Sequence, residues 1–177
     1  PGGFFVRWLL FFTSGFLIVY HYLLYPAAAI LLSSRKAVNL PASTSEDDRA
    51  LPPVTLLIAA YNEARVIEDK LRNSLALDYP HAKLEIIVVS DGSSDETPGI
   101  VGSFAAQGVR SLFEPSRRGK TAALNRGVAA ASGDIVVFSD ANNDFDKDAI
   151  RLLVRHFQNA TIGGVSGAKK IYADSDR

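Results

Sequence analysis

Two oxygen-bearing side chains, Asp140 and Asn142, stand one residue apart in the run Phe138-Ser139-Asp140-Ala141-Asn142. A hard divalent cation takes carboxylate and carbonyl oxygens and leaves coordination positions open for phosphate. The pair could therefore hold a metal-bound diphosphate. Taken alone, an Asx turn leading into a helix capped from Asp146-Lys147-Asp148 is the simpler account. Three further groups shift that balance. Tyr61 and Glu63 lie in Ala59-Ala60-Tyr61-Asn62-Glu63, and Asp91 lies in Ser90-Asp91-Gly92-Ser93-Ser94-Asp95. The third is the basic run Arg117-Arg118-Gly119-Lys120-Thr121. An aromatic ring, carboxylates and cations are what a nucleotide needs: stacking for the base, an acid for its N–H groups, a metal with Lys or Arg for phosphate. Each has a bland reading too. Tyr61 could cover a sheet edge, Glu63 could favour a helix start, Asp91-Gly92 could be a turn, and Arg117, Arg118 and Lys120 could be a solvated surface run.

The elements that must position these groups alternate. Val54–Ala59, Leu84–Val89, Val109–Phe113 and Ile135–Ser139 read as short buried strands, and Gly163–Gly167 as the start of a fifth. Between them, 63–75, 94–106, 120–131 and 148–157 have helical apolar spacing. Ser93 and Glu96 form a candidate capping box, and Pro98 fits only a first turn. Repeated β-α-β spacing implies a parallel sheet with helices on both faces. In such a sheet the first, second and fourth strands end on one rim, where open α/β folds bind ligands.

Composition narrows the classes. The 177-residue chain carries 19 Lys+Arg against 19 Asp+Glu, so net charge gives no reason to expect nucleic-acid binding. It has no cysteine, and His21, His81 and His156 are too dispersed for a zinc site. It opens Pro1-Gly2-Gly3 and contains no methionine, so its start reads as trimmed or internal.

Trp8 to Leu32 holds no Lys, Arg, Asp or Glu. As a helix it would run roughly 37 Å at 1.5 Å per residue, enough to cross a bilayer with tilt. The expected organisation is a transmembrane anchor over 4–34, a linker over 35–53 and an α/β domain over 54–177. A retained anchor is preferred to a cleaved signal peptide, because apolar residues continue past Ala27-Ala28-Ala29. Pro26 is expected to kink the helix. With Arg7 on one side and Arg35 and Lys36 on the other, the positive-inside rule leads to the expectation of a following domain in the cytoplasm.

Other phosphate motifs fail by spelling. Gly119-Lys120-Thr121 matches the end of a P-loop, but Glu114 stands where its first glycine belongs. No G-x-G-x-x-G follows the first strand. An EF-hand begun at Asp140 meets Phe145 and Arg151 where Gly and Glu are required.

With Val54–Glu63, Ile86–Thr97, Gly119–Asn125 and Val136–Asn142 in this order, the chain resembles a family 2 glycosyltransferase of the GT-A fold, in its membrane-anchored bacterial, polysaccharide-synthase-like form. The resemblance implies transfer of a sugar, with inversion, from a nucleotide-sugar donor (commonly a UDP-sugar) to a glycan or lipid-linked acceptor at the membrane, which in the bacterial form is expected to be the inner one. It implies Tyr61 and Glu63 at the base pocket, Asp91 on the uracil edge, and Lys120 with Arg118 near base or diphosphate. Asp140 matches the first Asp of the family's D-x-D and Asn142 replaces the second, which makes a Mg²⁺ or Mn²⁺ site weaker by one charge. The family's catalytic base and acceptor site follow the first half of the domain, so the base is expected beyond Arg177. On that expectation this chain is the donor-binding half and inactive alone. Asp144, Asp146 and Asp148 look like turn and capping residues, and Asp174 and Asp176 lie in a terminal tail. A sugar-nucleotide nucleotidyltransferase is a weaker alternative, since its Gly-rich loop is missing after the first strand. A non-catalytic nucleotide-sugar-binding partner is the other.

Overall fold

A computed structural model describes residues 2–33 and 48–168. They fall in two compact units, a helical N-terminal one and an α/β one. Most of the expected linker, together with Asp174, Asp176 and Arg177, lies outside the described residues. The expectation of a catalytic base beyond Arg177 therefore also falls outside them.

The helical unit consists of α1 (Gly2–Val19), a π-helical turn over Tyr20–Leu24 and α2 (Tyr25–Ser33). Pro26 explains the turn. Its ring would strike the carbonyl four residues back, and one wider turn relieves that contact without ending the helix. The Tyr25 N–H accordingly donates to the Tyr20 carbonyl, five residues back. Residues Gly3–Leu32 are long and apolar enough to cross a membrane. Every described side chain of this unit is solvent-facing, and Trp8 packs against Phe4, Phe11 and Phe12 along one side.

The α/β unit contains β1 (Val54–Ala60), α3 (Ile67–Leu75), β2 (Leu84–Asp91), α4 (Thr97–Ser103), β3 (Val109–Glu114), α5 (Lys120–Ala130), β4 (Ile135–Asp140) and α6 (Ala149–Val154). The four strands form one parallel sheet in the order β3-β2-β1-β4. Strand alternation sorts the core into two layers. Leu56, Ile58, Ile86 and Val88 meet Ile67 and Leu71 of α3, Val101 of α4, and Ile150 and Val154 of α6. Leu57, Ile87 and Val89 on the other face meet Ala123 of α5. Helix α5 lies close because residue 127 is glycine: a Cβ there would collide with Leu57 and Val89.

The helices expected over 94–106 and 148–157 are shorter, Thr97–Ser103 and Ala149–Val154, and three further expectations differ from the structure. Helix α3 begins at Ile67 instead of Glu63: residues 63–66 form a separate turn, and Val66 stands at φ −123°, outside helical geometry. The backbone N–H groups of Asn62, Glu63 and Ala64 go to Ser93, Thr97 and Asp95, and Asn62 adopts φ 54°. The Ser93–Glu96 capping box does not form. Asp95 accepts from the Thr97 N–H instead, while Ser93 bridges to Asn62 and Ser90. Residues 163–167 form no strand; three glycines in five residues give little β-propensity.

The end of the sheet where the strands begin is closed by Glu85. Its carboxylate accepts from the Thr55 hydroxyl at 2.6 Å and the Ser132 N–H at 2.8 Å, and it pairs with Arg110. Thr55 accepts in turn from the Gly133 N–H at 2.9 Å, so β1, β2, β3 and the approach to β4 are joined. Burial alone would raise the Glu85 pKa, but the hydrogen bonds from Thr55, Ser132 and Arg110 outweigh it and hold the group at about 2, against 4.5 when free. A depressed carboxylate stabilises the fold above its free pKa, and that contribution is lost as pH falls towards the folded value. Thermal midpoints between pH 6 and pH 2 should therefore drop through the interval from about 4.5 to about 2. Glu85→Gln should start lower and drop less.

Candidate functional site

Backbone register decides which strand ends share a rim. Ala59 of β1 is level with Val89 of β2 and with Asp140 of β4, and Asp91 is level with Glu114 of β3. Tyr61, Asp91 and Asp140 thus leave the sheet at one edge, on either side of the point where the chain reverses direction across the sheet, between β1 and β4. Such switch points form the crevices of open α/β sheets. A cavity of about 370 Å³ lies at the opposite end, against Pro52, Asp134 and Arg151, and takes no part in the rim.

Asp91 is the buried centre, 5% exposed. Its Oδ2 accepts the backbone N–H groups of Arg118 at 2.9 Å and Gly119 at 2.7 Å, the residues that lead into α5. Its Oδ1 has no hydrogen-bond partner among the described residues. The nearest cation is Arg126 Nη1, 3.7 Å away, and Nε and Nη2 of Arg126 are buried without partners as well. A buried carboxylate oxygen beside an unsatisfied guanidinium is an open acceptor–donor pair of the kind that a ring edge carrying N–H and C=O groups would complete.

Lys120, the first residue of α5, places its Nζ 2.6 Å from Asp140 Oδ1. Asn142 is exposed two residues on. The ammonium marks this carboxylate as a place where a cation is stabilised. Among the described residues no group of three or more His, Asp or Glu gathers, so a metal here would rely on Asp140, Asn142 and the oxygens of a ligand. Such a donor set, one carboxylate with neutral oxygens and phosphate, suits Mg²⁺ or Mn²⁺.

Tyr61 is partly exposed, and the Arg117 guanidinium lies 3.8 Å from its ring centre. One face of the ring is therefore covered by a cation, so a stacked base must use the other face or displace Arg117. Arg118 contributes through its backbone; its side chain is two-thirds exposed and reaches Glu114 at 3.9 Å. Glu63 holds the start of α3, its carbonyl accepting from Val66 and Ile67. The structure thus gathers Asp91, Lys120, Asp140, Asn142 and Tyr61 at the rim and sets the Arg118 side chain to one side. Sequence reasoning did not single out Arg126. Its only signal was its place three residues after Ala123, beside the buried face of α5.

The sequence model of Glycosyl transferase family 2 matches residues 55–177. The chain belongs to this family. The poly-beta-1,6-N-acetyl-D-glucosamine synthase of Staphylococcus aureus is 38% identical over 123 residues, covering 68% of this chain but 29% of its own length. The chain thus spans under a third of that relative. Among solved structures, the mannosyltransferase PcManGT of Pyrobaculum calidifontis, in complex with GDP-Man and Mn²⁺, matches with a TM-score of 0.70 at 32% identity. The match covers 88% of this chain and 46% of that one. The glucosyl-3-phosphoglycerate synthase of Mycobacterium tuberculosis, with Mn²⁺, UDP and glucosyl-3-phosphoglycerate, matches at TM-score 0.51 and 29% identity, covering 67% and 45%. The family 2 domain here has the GT-A architecture: a parallel α/β sheet with helices on both faces, preceded in sequence by a helix long and apolar enough to cross a membrane.

The loop before α5 crosses β2 at Gly92, which has φ 71° and whose added Cβ would lie 2.7 Å from the Arg117 backbone nitrogen. Neither the conformation nor the space admits a side chain. Gly92→Ala should cost about 3 kcal/mol in unfolding free energy and lower the thermal midpoint by several degrees in circular-dichroism melts.

Proposed function

We propose that this chain supplies the donor-binding half of an inverting glycosyltransferase. It would take a sugar from a nucleotide-sugar donor, UDP-linked, and deliver it to a glycan or lipid-linked acceptor at the cytoplasmic face of the inner membrane. The observation that carries this reading is the meeting of Tyr61, Asp91 and Asp140 on one rim at the reversal between β1 and β4. The neighbouring solved structures bound to Mn²⁺ with UDP or GDP-Man support a nucleotide-sugar donor, and the polysaccharide synthase among the relatives supports a glycan product. The unit boundaries follow the same reading: an anchor over 4–34, a linker over 35–53 and the donor-binding domain over 54–177. The catalytic base would come from the rest of the domain, beyond Arg177.

In this reading the free face of Tyr61 stacks the base, and the open Oδ1 of Asp91 accepts its ring N–H. Arg126 has donors left for a ring carbonyl. Asp140 and Asn142 would hold Mg²⁺ or Mn²⁺, which supplies charge neutralisation for the departing diphosphate. Lys120 pairs with Asp140 here and would be free to pair with phosphate oxygens where Asp140 holds the metal. Glu63 stays at the edge of the base pocket, and Arg118 acts as an exposed cation near the diphosphate. The neutral amide at Asn142 favours one alternative, a nucleotide-sugar-binding partner without transfer activity.

The test is a calorimetric titration of UDP into the detergent-solubilised chain with and without Mn²⁺. Binding should strengthen at least tenfold with Mn²⁺, a difference of about 1.4 kcal/mol, and Asp140→Ala should abolish that gain. A titration that is flat under all conditions would remove the donor-site reading. Separately, transfer from UDP-sugar by a longer chain carrying the rest of the domain, and none by such a chain that still binds UDP, divide the enzyme from the non-catalytic partner.

A further inference from the structure

Lys70 is 1% exposed, the largest of the fully buried side chains, and it stands on the inward face of α3 with Ile67, Leu71 and Ser74. A methionine would fill that space without the cost of burying an ammonium, which is several kcal/mol when no carboxylate pairs with it. No carboxylate is within ion-pair distance of Lys70 among the described residues. Its Nζ donates to the backbone carbonyl of Asn143 and lies 4.2 Å from the centre of the Phe145 ring. Burial pulls its pKa down to about 8, with the charges of Asp144 and Asp140 opposing the fall.

All these contacts are to one segment, the loop leaving β4. One helical turn on, Asn73 grips the same loop twice. Its Nδ2 donates to the Phe145 carbonyl and its Oδ1 accepts the Phe145 N–H, both at 2.9 Å. The tie at Asn143 comes immediately after Asn142. It fixes a turn in which Ala141 is buried, Asn142 is exposed, and the Asn143 N–H reaches back to the Asp140 carbonyl at 3.4 Å.

We propose that Lys70 is a positioning residue for the metal–diphosphate subsite: from beneath the sheet rim it holds the Asn143 carbonyl so that Asp140 and Asn142 present their oxygens together. The proposal rests on the donor-site reading above. It assigns Lys70 no contact with donor or metal. Two effects of removing it oppose each other. Losing the tie loosens the oxygen pair and weakens metal-dependent binding, whereas losing a nearby positive charge favours a divalent cation. The direct tie, reinforced by the ring contact, is the larger effect, because the charge acts through space on a half-exposed, solvent-screened Asp140.

The experiment compares Lys70→Met with the unaltered chain in three measurements: UDP affinity in EDTA, the MnCl₂ concentration giving half-maximal UDP binding, and the thermal midpoint. A rise of at least fivefold in half-saturating Mn²⁺ is expected, with metal-free UDP affinity within twofold and a midpoint equal or higher. An unchanged or lower half-saturating Mn²⁺ overturns the proposal, as does a parallel loss of metal-free affinity, which a merely structural lysine would produce. If Lys70→Met does not fold, Lys70→Gln is read by the same criteria, with an expected rise of at least twofold because its amide retains a shorter donor. If the unaltered chain shows no Mn²⁺-dependent UDP binding, the donor-site reading fails and this inference with it. If it binds and the variants behave identically, only the role of Lys70 is lost.

Discussion

The rim of this domain is organised by one buried carboxylate accepting two adjacent backbone N–H groups. Asp91 Oδ2 fixes residues 118 and 119 at the start of α5, and the side chains flanking that tie diverge. Arg117, just before it, lies on the Tyr61 ring at the end of β1; Lys120, just after it, reaches Asp140 at the end of β4. A constraint at the end of β2 thus sets the position of cations at the ends of the two strands beyond it. Gly92 belongs to the same constraint, because only a residue without Cβ lets the 115–119 segment pass so close. The Glu114 carbonyl accepts the Gly92 N–H at 2.7 Å and completes the crossing.

The charges around Asp140 determine what can bind there. One carboxylate stands beside a neutral Asn142, with Lys120 in contact and the buried Lys70 charge behind it. A bare divalent cation meets a site already neutralised by an ammonium. A cation carrying a diphosphate brings the missing negative charge with it and gives Lys120 a new partner. Under the proposed donor-site reading, metal and diphosphate would bind together, each weak without the other. That follows from the residues present and from Coulomb's law at a partly hydrated surface, where a pair at contact distance is worth a few kcal/mol at most.

Much of the sheet was legible because its signals are local and strong. Continuous runs such as Leu56-Leu57-Ile58 and Ile86-Ile87-Val88-Val89 mark strands covered on both faces, and all four strands begin at the expected residue and end within two residues of the expected one. Convergence of the strand ends was legible too, since parallel strands have only one carboxyl edge. What could not be read were contacts made by backbone geometry and by long side chains. Asn62 at φ 54° accepts the Ser94 N–H while its own N–H goes to Ser93, a mutual grip between two loops thirty residues apart in sequence. Nothing in the local pattern announces it. Arg117 on Tyr61 was likewise hidden, because the basic run gives no indication of which cation turns inward. Lys70 left a faint trace: on the helical spacing of Ile67, Leu71 and Ser74 it belongs to the buried face, where a charge needs a reason.

The two ends of the sheet use their polar groups in opposite ways. Where the strands begin, the Glu85 carboxylate is saturated by a hydroxyl, a backbone N–H and a guanidinium, and Thr55 passes the linkage on to Gly133. Where they end, three of the four buried side-chain atoms without partners among the described residues belong to Asp91 and Arg126. Leaving such atoms unpaired costs about 1–3 kcal/mol apiece, which a small domain tolerates only if the rest is secure. The satisfied knot at one edge secures the register of all four strands, and that register carries the unsatisfied atoms at the other. Asp91 Oδ2 is spent on the Arg118 and Gly119 N–H groups, so the open capacity at this edge is Asp91 Oδ1 and the Arg126 guanidinium. These atoms without hydrogen-bond partners are the physical argument behind the proposed donor site.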